Sequence, residues 1–328
     1  MVDTEEQLAR LRQRIAAIDQ KYSGHRSAKA VGTTPREKVT APVAPSQVWP
    51  GSEVISNEFG EHLQAELLYP HHRRHGSADI GALRDLPHDL FAAIGAGQIA
   101  AAAPERWAFL DTETTGLAGG SGTYAFLIGV GRITPEGFRV RQFFMREYAE
   151  ERSLLAALNE HLSAFDVLIT YNGKSYDQPL LETRYRMARS RPPFDSLSHL
   201  DLLYGARRIW KLRLESCRLV ELEQQILGFH REGDIPGHLI PYLYFEFLRS
   251  RETWRLMPVF HHNVLDIVTL ACLTAIVPAA FRGADAQSLS QLGIKRGEDL
   301  AGIARWLLAA GEHERALELM KRAADTAL

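Results

Sequence analysis

Two acids near the middle of the chain have a spacing that suits metal binding. In the stretch WAFLDTETTG, residues 107–116, a short apolar run leads into Asp111 and Glu113, which are two residues apart. On a β-strand, side chains at positions i and i+2 project from the same face, so both carboxylates would point the same way. Two adjacent anions repel each other, and a cation between them relieves the repulsion. By itself this motif fits a metal site and a solvated strand face equally well.

Two further acids lie far along the chain, and each has an ordinary structural explanation. Asp177 in TYNGKSYDQPLL follows an apolar run and an NGK turn, so it stands at the start of a predicted helix that its side chain could simply cap. Asp266 lies in FHHNVLDIVTL between Leu265 and Ile267, and an acid that faces inward among such residues needs a partner. Neither acid identifies a metal site without the others.

Two adjacent histidines precede Asp266. His262 is four residues before the acid and therefore on the same face of a helix. His261 is five residues before it, which is ~140° around an ideal helix, so it can reach the same place only from a loop that precedes the helix. A single histidine beside such an acid is usually a structural pair, and between the two, helical geometry favours His262. A separate run, HHRRHG at residues 71–76, predicts a solvated basic loop rather than a metal site.

Apolar periodicity predicts the elements that would carry these residues. Strands are predicted for WAFLD, for TYAFLIGVGRI and FRVRQFF, which a TPEG turn joins into a hairpin, and for DVLITY. Helices are predicted for EERSLLAALNEHLSAF, DQPLLETRYRMA, LVELEQQIL and HNVLDIVTLACLTAIV. Three strands, then a helix, a strand and more helices predict an α/β fold with a mixed sheet flanked by helices.

Shifts in composition divide the chain into five segments. Residues 1–22 carry an apolar stripe at three- and four-residue spacing and predict an amphipathic helix, which we expect to dock onto the body of the chain rather than to self-associate. Residues 23–54, rich in Pro, Ser, Thr and Lys, predict a flexible linker, and residues 55–104 give only the weak signal of an N-terminal extension. Residues 105–282 hold the α/β domain, and residues 283–328 predict a small helical segment.

The C-terminal segment predicts two helices joined by a turn around Gly311. Ala316 and Ala323 are seven residues apart in the second helix, a spacing that resembles one tetratricopeptide repeat, and a plain helical hairpin is the alternative. One such unit cannot bury its apolar face alone. It must therefore pack on the preceding domain or bind a protein partner.

Composition and termini exclude several classes of protein. The formal net charge of −2 over 328 residues predicts no global attraction to nucleic acid, so such binding needs local patches. Cys217 and Cys272 lie far apart in apolar surroundings and are interpreted as buried thiols in a reducing compartment. The N-terminus MVDTEEQLARLRQR lacks an apolar signal region, and the longest apolar run, LACLTAIVPAAF, is shorter than the ~20 residues of a membrane-spanning helix. We expect a soluble, cytoplasmic protein with no membrane partner.

A local surplus of positive charge lies between residues 184 and 218. There the chain has nine Lys and Arg residues against three acids. Three aromatic residues interleave with them: Tyr185, Tyr204 and Trp210. Such a cluster is typical of a phosphate track with stacking rings, and solvated helix faces are the alternative. The cations that we expect to contact a nucleic acid are Arg207, Arg208 and Lys211.

Taken together and in this order, the four acids resemble those of the DEDD 3′–5′ exonucleases on the ribonuclease H-like fold. Residues 107–281 resemble more closely the predicted bacterial ribonuclease H-like exonuclease family. The motifs that carry the resemblance are FLDTETTGL, AGGSGTYAFLIGVG, YNGKSYDQPLL, HLDLL, GDIPGHLIP and HHNVLDIVTL. Each motif is modest, and their occurrence in this order is specific. The resemblance implies a ribonuclease H-like mixed sheet flanked by helices.

The resemblance also implies a metal site. Its ligands would be the four acids Asp111, Glu113, Asp177 and Asp266. Carboxylates without cysteine are hard oxygen ligands, which suit two divalent ions, Mg²⁺ or Mn²⁺. His262, or His261 in its place, would orient or deprotonate the attacking water.

The implied reaction is hydrolysis of phosphodiester bonds by a two-metal mechanism. The substrate would be a single-stranded DNA or RNA end, degraded as by a 3′–5′ exonuclease. By the same resemblance Thr114, Thr115 and Asn172 would line the terminal nucleotide, and Tyr176 would stack on a base or simply pack. The alternative is a nucleic-acid-binding or partner-recruiting module on the same fold with weak or no catalysis. The four intact acids argue against that alternative.

Overall fold

The computed structural model describes most of the chain from Trp49 onwards, namely residues 49, 51–94, 99, 101–116, 122–283 and 285–326. The amphipathic helix expected for residues 1–22 lies outside these residues, and so does most of the linker expected for residues 23–54. Residues 52–54, which the sequence analysis assigns to the linker, lie in the first strand.

A seven-stranded mixed sheet forms the centre of the fold. In spatial order its strands are β1 (Ser52–Asn57), β2 (Gly60–Pro70), β7 (Gly137–Phe144), β6 (Ala125–Thr134), β5 (Trp107–Thr114), β8 (Val167–Thr170) and β9 (Ser198–Asp201). Neighbours from β1 to β5 in this order are antiparallel, and β5, β8 and β9 are parallel. A separate small hairpin pairs β3 (Arg74–His75) with β4 (Ala78–Asp79).

Helices cover the sheet and extend beyond it. They are α1 (Glu151–Leu162), α2 (Asp177–Met187), α3 (Leu202–Trp210), α4 (Leu219–Leu222), α5 (Ile240–Ser250), α6 (Met257–Arg282), α7 (Ala286–Gln291), α8 (Gly297–Ala309) and α9 (His313–Asp325). A π-helical turn, Glu223–Leu227, continues α4, and 3₁₀ turns lie at Gly81–Asp85, Pro104–Arg106, Tyr148–Glu150, Pro193–Ser196, Gly237–Leu239 and Thr253–Leu256. The expected α/β fold with a mixed sheet flanked by helices is confirmed.

The two faces of the sheet are buried in separate hydrophobic clusters. Phe109 of β5 packs with residues of α3, α6 and the C-terminal helices. Leu110 packs with residues of α1, α2 and α5 on the opposite face. Because strand residues alternate between faces, Asp111 lies on the same face as Phe109, and Thr112 lies on the same face as Leu110. The strand therefore directs its first acid towards α6.

Residues 55–104, for which the sequence gives only a weak prediction, contain part of the sheet. Strand β2 lies wholly within residues 55–104, and its residues Leu63, Ala65 and Tyr69 are buried. Their alternation with polar residues is the pattern of a half-buried antiparallel strand. The sheet thus continues beyond the segment 105–282 on the side of β7.

Two glycines of β6 allow α6 to lie against the sheet backbone. A Cβ atom on Gly129 would stand 2.2 Å from both Asn263 Oδ1 and Ile267 Cδ1, and one on Gly131 would stand 2.5 Å from Ile267 Cγ2. Residue Gly129 is also the register partner of Asp111 on β5. The glycines therefore set how closely α6, with its histidine and acid, approaches the acids of β5.

Helix α6 belongs to a segment, Thr253–Arg282, that is long and apolar enough to cross a membrane by length and composition. The run LACLTAIVPAAF is its C-terminal part. Yet 78% of its most apolar window is buried inside the protein, where Phe260 packs on one face of the sheet and Leu273 on the other. The helix is therefore apolar because it lies in the core of the protein.

The C-terminal segment is a helical hairpin, as the turn around Gly311 predicts. The turn glycine has a φ of +83°, in the left-handed region that favours glycine. Ala316, Leu319 and Ala323 of α9 are buried, and α8 packs on α3. The segment therefore covers its apolar face partly on the preceding domain. Its relation to tetratricopeptide repeats stays a prediction.

A Gly129→Ala substitution tests the close approach of α6. We expect it to lower the free energy of unfolding by about 1–3 kcal/mol, because the added methyl group overlaps Asn263 and Ile267. Urea unfolding followed by circular dichroism measures this loss. Gly237→Ala is the matched control, since a Cβ atom there meets no atom within 4 Å. Equal stability of the two variants would contradict the proposed packing constraint.

Candidate metal centre

The two acids of β5 face the N-terminal half of α6. Asn263 Nδ2 donates a hydrogen bond to Asp111 Oδ2 at 2.9 Å. A carboxylate oxygen of Glu113 and ligand atoms of His262 and Asp266 all lie within 4.8 Å of one another, a spacing that could hold a metal ion. Residues from the two ends of the α/β domain thus converge at one place.

The histidine in this group is His262, one helical turn before Asp266. Its Nε2 lies 3.5 Å from Asp266 Oδ2, and its Nδ1 lies 2.8 and 2.9 Å from the two carboxylate oxygens of Asp234. His261 lies inside α6, which begins at Met257, so the loop it would need to reach the acids is not there. Within the described chain it is not part of the group of possible ligands.

Asp177 is the first residue of α2 and borders the group from the other face of β5. Thr112 Oγ1 donates a hydrogen bond to Asp177 Oδ1 at 2.5 Å. Burial raises the pKa of Asp177 to about 6, with the Thr112 hydrogen bond opposing the rise and the charge of Asp201 adding to it. The N-cap of α2 is Tyr176, without a side-chain cap hydrogen bond, so Asp177 does not cap the helix and instead contacts the strand of the acid pair.

The acids repel one another in a buried setting. Burial, followed by the charges of Asp266 and Asp177, raises the pKa of Asp111 well above its usual range, against the hydrogen bond from Asn263. Burial and the same neighbours, with Asp111 itself, raise the pKa of Glu113 in the same way. A divalent cation would remove this repulsion. Carboxylate oxygens are hard donors that suit Mg²⁺ or Mn²⁺, so the four acids fit the expected ions.

A buried arginine that the sequence analysis did not select holds three carboxylates together. Arg231 donates from Nε to Glu223 at 2.5 Å, from Nη1 to Asp234 at 3.2 Å and from Nη2 to Asp266 Oδ1 at 2.6 Å. Although burial lowers it, the pKa of Arg231 is raised by Asp266 and Glu223, so the guanidinium stays charged. Its position fixes Asp266 and Asp234 relative to each other.

HHRRHG is only partly the expected solvated loop, because residues 72–74 are exposed whereas His75 is buried. His75 is 2% exposed, and its Nε2 lies 3.0 Å from Glu223 Oε1 and 2.9 Å from Thr269 Oγ1. Thr269 also donates a hydrogen bond to Glu223. A basic run gave no signal of this burial, because the partners are about 150–190 residues away along the chain.

The threonines and the tyrosine expected near a terminal nucleotide shape the end of β5. Thr114 Oγ1 and Tyr176 Oη each donate to the carbonyl oxygen of Gly116 at 2.8 Å. Thr115 Oγ1 accepts a hydrogen bond from the backbone amide of Tyr124 at 2.9 Å. These side chains hold the connection from β5 towards β6 beside Glu113.

An aspartate within HLDLL organises the turn that precedes α2. The carboxylate of Asp201 accepts hydrogen bonds from the backbone amides of Asn172 at 2.8 Å, Lys174 at 3.1 Å and Leu203 at 3.1 Å. Asn172 is exposed with a φ of +68°, a left-handed conformation that asparagine tolerates. Asp201 therefore helps to place Asp177.

The basic stretch contributes fewer surface groups than its sequence predicts. Arg184 is buried against Glu151 at 2.6 Å, and Arg213 pairs with Asp299 at 2.8 Å. Tyr185 and Trp210 are fully buried core residues, so the expectation that these two rings stack on bases is wrong; Tyr204 is 48% exposed. The cations selected for substrate binding are exposed on and just after α3: Arg207, Arg208 and Lys211.

Comparison with known proteins identifies relatives of the α/β domain. A family model described as the RNase_H superfamily matches residues 108–277, which is more than half of the chain. A protein of Bacillus subtilis (strain 168) named "Uncharacterized protein YprB" is 35% identical over 218 residues, which are 65% of this chain and 50% of that protein. The chain thus spans about half the length of this curated relative.

Comparison with solved structures includes a match of low similarity. The family B DNA polymerase from the hyperthermophilic archaeon Pyrobaculum calidifontis is 16% identical, over 65% of this chain and 30% of that chain, with a TM-score of 0.40. A score this low carries no argument about function. The family match, together with the mixed sheet, confirms the expected ribonuclease H-like fold.

The electrostatics of the acids predict a metal-dependent and pH-dependent stability. At pH 8 we expect Mn²⁺ at about 100 times its Kd to stabilise the fold by about 2.7 kcal/mol. Protonation of the acids stabilises the ion-free fold at low pH, and this contribution is lost as the pH rises through their raised pKa values. At pH 5 the ion must displace protons, so its effect should shrink.

Thermal unfolding with and without EDTA measures this effect in wild type and two variants. Glu113→Gln should raise the Tm of the ion-free protein at pH 8, because it removes one repelling charge, and should reduce the shift caused by Mn²⁺. Glu53→Gln, an exposed acid on β1, is the control and should behave like wild type. A full Mn²⁺ shift in Glu113→Gln would exclude this carboxylate from the metal centre.

Proposed function

Because the chain belongs to the RNase_H superfamily, we propose that it is a metal-dependent nuclease that hydrolyses phosphodiester bonds. The observation that carries the proposal is the convergence of Glu113, His262 and Asp266, with Asp111 and Asp177 beside them. A fold that keeps several repelling carboxylates buried in one place bears a free-energy penalty that a cation site explains.

The four acids would share the work of ligation. Two divalent ions, Mg²⁺ or Mn²⁺, held by Asp111, Glu113, Asp177 and Asp266 would supply Lewis-acid stabilisation of the phosphate and make water a stronger nucleophile. The charges of Asp266 on α6 and of Asp177 on α2 both act on Asp111, so its carboxylate would contribute to holding the ions. Asn263 keeps one of its oxygens oriented through the hydrogen bond at 2.9 Å.

His262 would accept a proton from the attacking water. Asp234 binds Nδ1, so Nε2 is the nitrogen directed towards Glu113 and Asp266. Burial lowers the pKa of His262, but Asp266 and the hydrogen bond to Asp234 outweigh it and raise the pKa above its usual value. Asp234 is therefore a positioning residue that sets both the orientation and the basicity of the ring.

We assign the reaction to DEDD-type 3′–5′ exonucleolysis on single-stranded DNA or RNA ends. The support is the set and order of the acids, together with the residues that surround the end of β5. Thr114, Thr115 and Tyr176 hold the strand end in shape, and the exposed Asn172 stands at the turn before Asp177. These groups would receive the terminal nucleotide.

The cleavage assay separates a nuclease from a module that only binds nucleic acid. We expect 3′- and 5′-labelled DNA and RNA oligonucleotides to be shortened from the 3′ end with Mn²⁺ or Mg²⁺, and to stay intact with EDTA. Asp111→Asn should reduce the rate at least about 100-fold, because it removes a charged ligand while keeping the side-chain shape. Cleavage by Asp111→Asn at the wild-type rate, or no cleavage with any metal, would refute the proposal.

The role of Asp234 has its own test. Asp234→Asn should lower kcat about 10- to 100-fold and leave KM nearly unchanged, because the ring loses its fixed orientation. The acidic limb of the kcat–pH profile should also move to lower pH, since the carboxylate that raises the pKa of His262 is gone. Asp195→Asn, at an exposed site, is the control. An unchanged pH profile in Asp234→Asn would rule out this role.

A further inference from the structure

Three adjoining clefts surround the exposed side of α3. Arg208 and Trp306 line both the first and the second cleft, and Arg207 and Lys211 line both the second and the third. The cations on their walls are Lys174, Arg207, Arg208, Lys211, Arg218 and Arg305. The acids on these walls are Asp201, whose carboxylate is used by three backbone amides, and Glu215. The walls therefore carry a clear positive surplus in a nearly neutral chain.

The C-terminal hairpin builds one wall of these clefts. A Cβ atom on Gly302 of α8 would stand 2.5 Å from the carbonyl oxygens of Arg208 and Ile209, so α8 lies directly on α3. The guanidinium of Arg208 lies 5.2 Å from the ring centre of Trp306, a cation–π contact between α3 and α8. Arg305, the neighbour of this tryptophan, then faces the cations of α3 across the second cleft.

The charges of this groove are available to a ligand. In the part of the chain that the structure describes, Arg207, Arg208 and Arg305 form no ion pair with a carboxylate, and Lys211 Nζ donates to the backbone oxygen of Glu215 at 2.6 Å. Arginines used structurally in this protein, such as Arg213, have a carboxylate partner at close range. The groove cations therefore differ from arginines such as Arg213, whose charge is neutralised by a carboxylate.

Two of the clefts reach the turn that precedes Asp177 of the candidate metal centre. Tyr171 and Asn172 line the third cleft, and Lys174 lines the first. These residues form the turn between β8 and α2, and α2 starts with Asp177. The turn between β8 and α2 therefore connects two of the clefts with Asp177 of the candidate metal centre.

We propose that the groove between α3 and α8 binds the single strand behind the nucleotide being cleaved, so that the C-terminal hairpin is part of the nucleic-acid surface. This rests on the proposed nuclease function. Cations that form no ion pair with the described carboxylates suit the phosphates of a nucleic acid. Tyr204, 48% exposed on the first cleft, offers a ring on which a base can stack. An acidic protein segment would use the cations but has no aromatic base to place on that ring.

Fluorescence anisotropy in EDTA tests the groove without catalysis. The probes are fluorescein-labelled single-stranded DNA oligonucleotides of about 6 and about 30 nucleotides, the longer one exceeding the site size of a single binding domain. Arg305→Gln should weaken binding of the long probe several-fold at low salt and reduce the slope of log K against log salt by about 0.7, the loss of one phosphate contact. Binding of the short probe should hardly change. Lys321→Gln, an exposed cation on α9 outside the clefts, is the control and should match wild type.

The outcomes separate this inference from the proposed function. If Arg305→Gln binds the long probe like wild type while wild type cleaves oligonucleotides, the groove is excluded and the nuclease stands. If Arg305→Gln weakens binding but no metal supports cleavage, the groove stands and the nuclease is excluded. If poly-glutamate binds more tightly than the oligonucleotide, with the same dependence on Arg305, the ligand is an acidic protein segment and the inference is overturned.

Discussion

Repulsion among buried carboxylates is the constraint on which the rest of this structure depends. Asp111 and Glu113 share a strand face, and Asp266 and Asp177 approach them from two helices. After burial itself, the charges of Asp266 and Asp177 raise the pKa of both Asp111 and Glu113. The fold offsets part of this repulsion with its own groups. Asn263 donates to Asp111, Thr112 donates to Asp177, and Arg231 places a positive charge on Asp266. The repulsion that these donors do not offset favours the binding of a cation.

Such a site needs stiff support, because charges that repel move apart wherever the backbone allows it. The support comes from close packing and from a buried ionic network. Gly129 lets α6 lie against the strand next to β5, which sets the separation between the two halves of the site. Arg231 ties Asp266 to Glu223 and Asp234, and Asp234 in turn orients His262. The buried ion pairs restrict the ligand side chains to one arrangement. They contribute more to the orientation of these side chains than to the stability of the fold.

Charge is separated on this protein rather than balanced locally. The acids of the candidate metal centre gather around β5 and α6, whereas cations that pair with no described carboxylate line the groove between α3 and α8. A net charge of −2 hides both features, because they cancel in the sum. The separation lets an anionic chain be held by one surface while its end reaches another. It also gives the C-terminal hairpin a role beyond covering its own apolar residues.

The sequence by itself determined the features that depend on local periodicity. Strand β5 and the common face of Asp111 and Glu113 follow from a period of two, and the placing of His262 beside Asp266 follows from one helical turn. Long-range packing could not be predicted from the sequence, because spacing along the chain says nothing about partners more than a hundred residues away. Only the tertiary structure brought His75 to Glu223, buried Trp210, which the sequence had suggested for base stacking, and set Arg305 across from α3. A side chain's role at such places depends on what the fold packs against it.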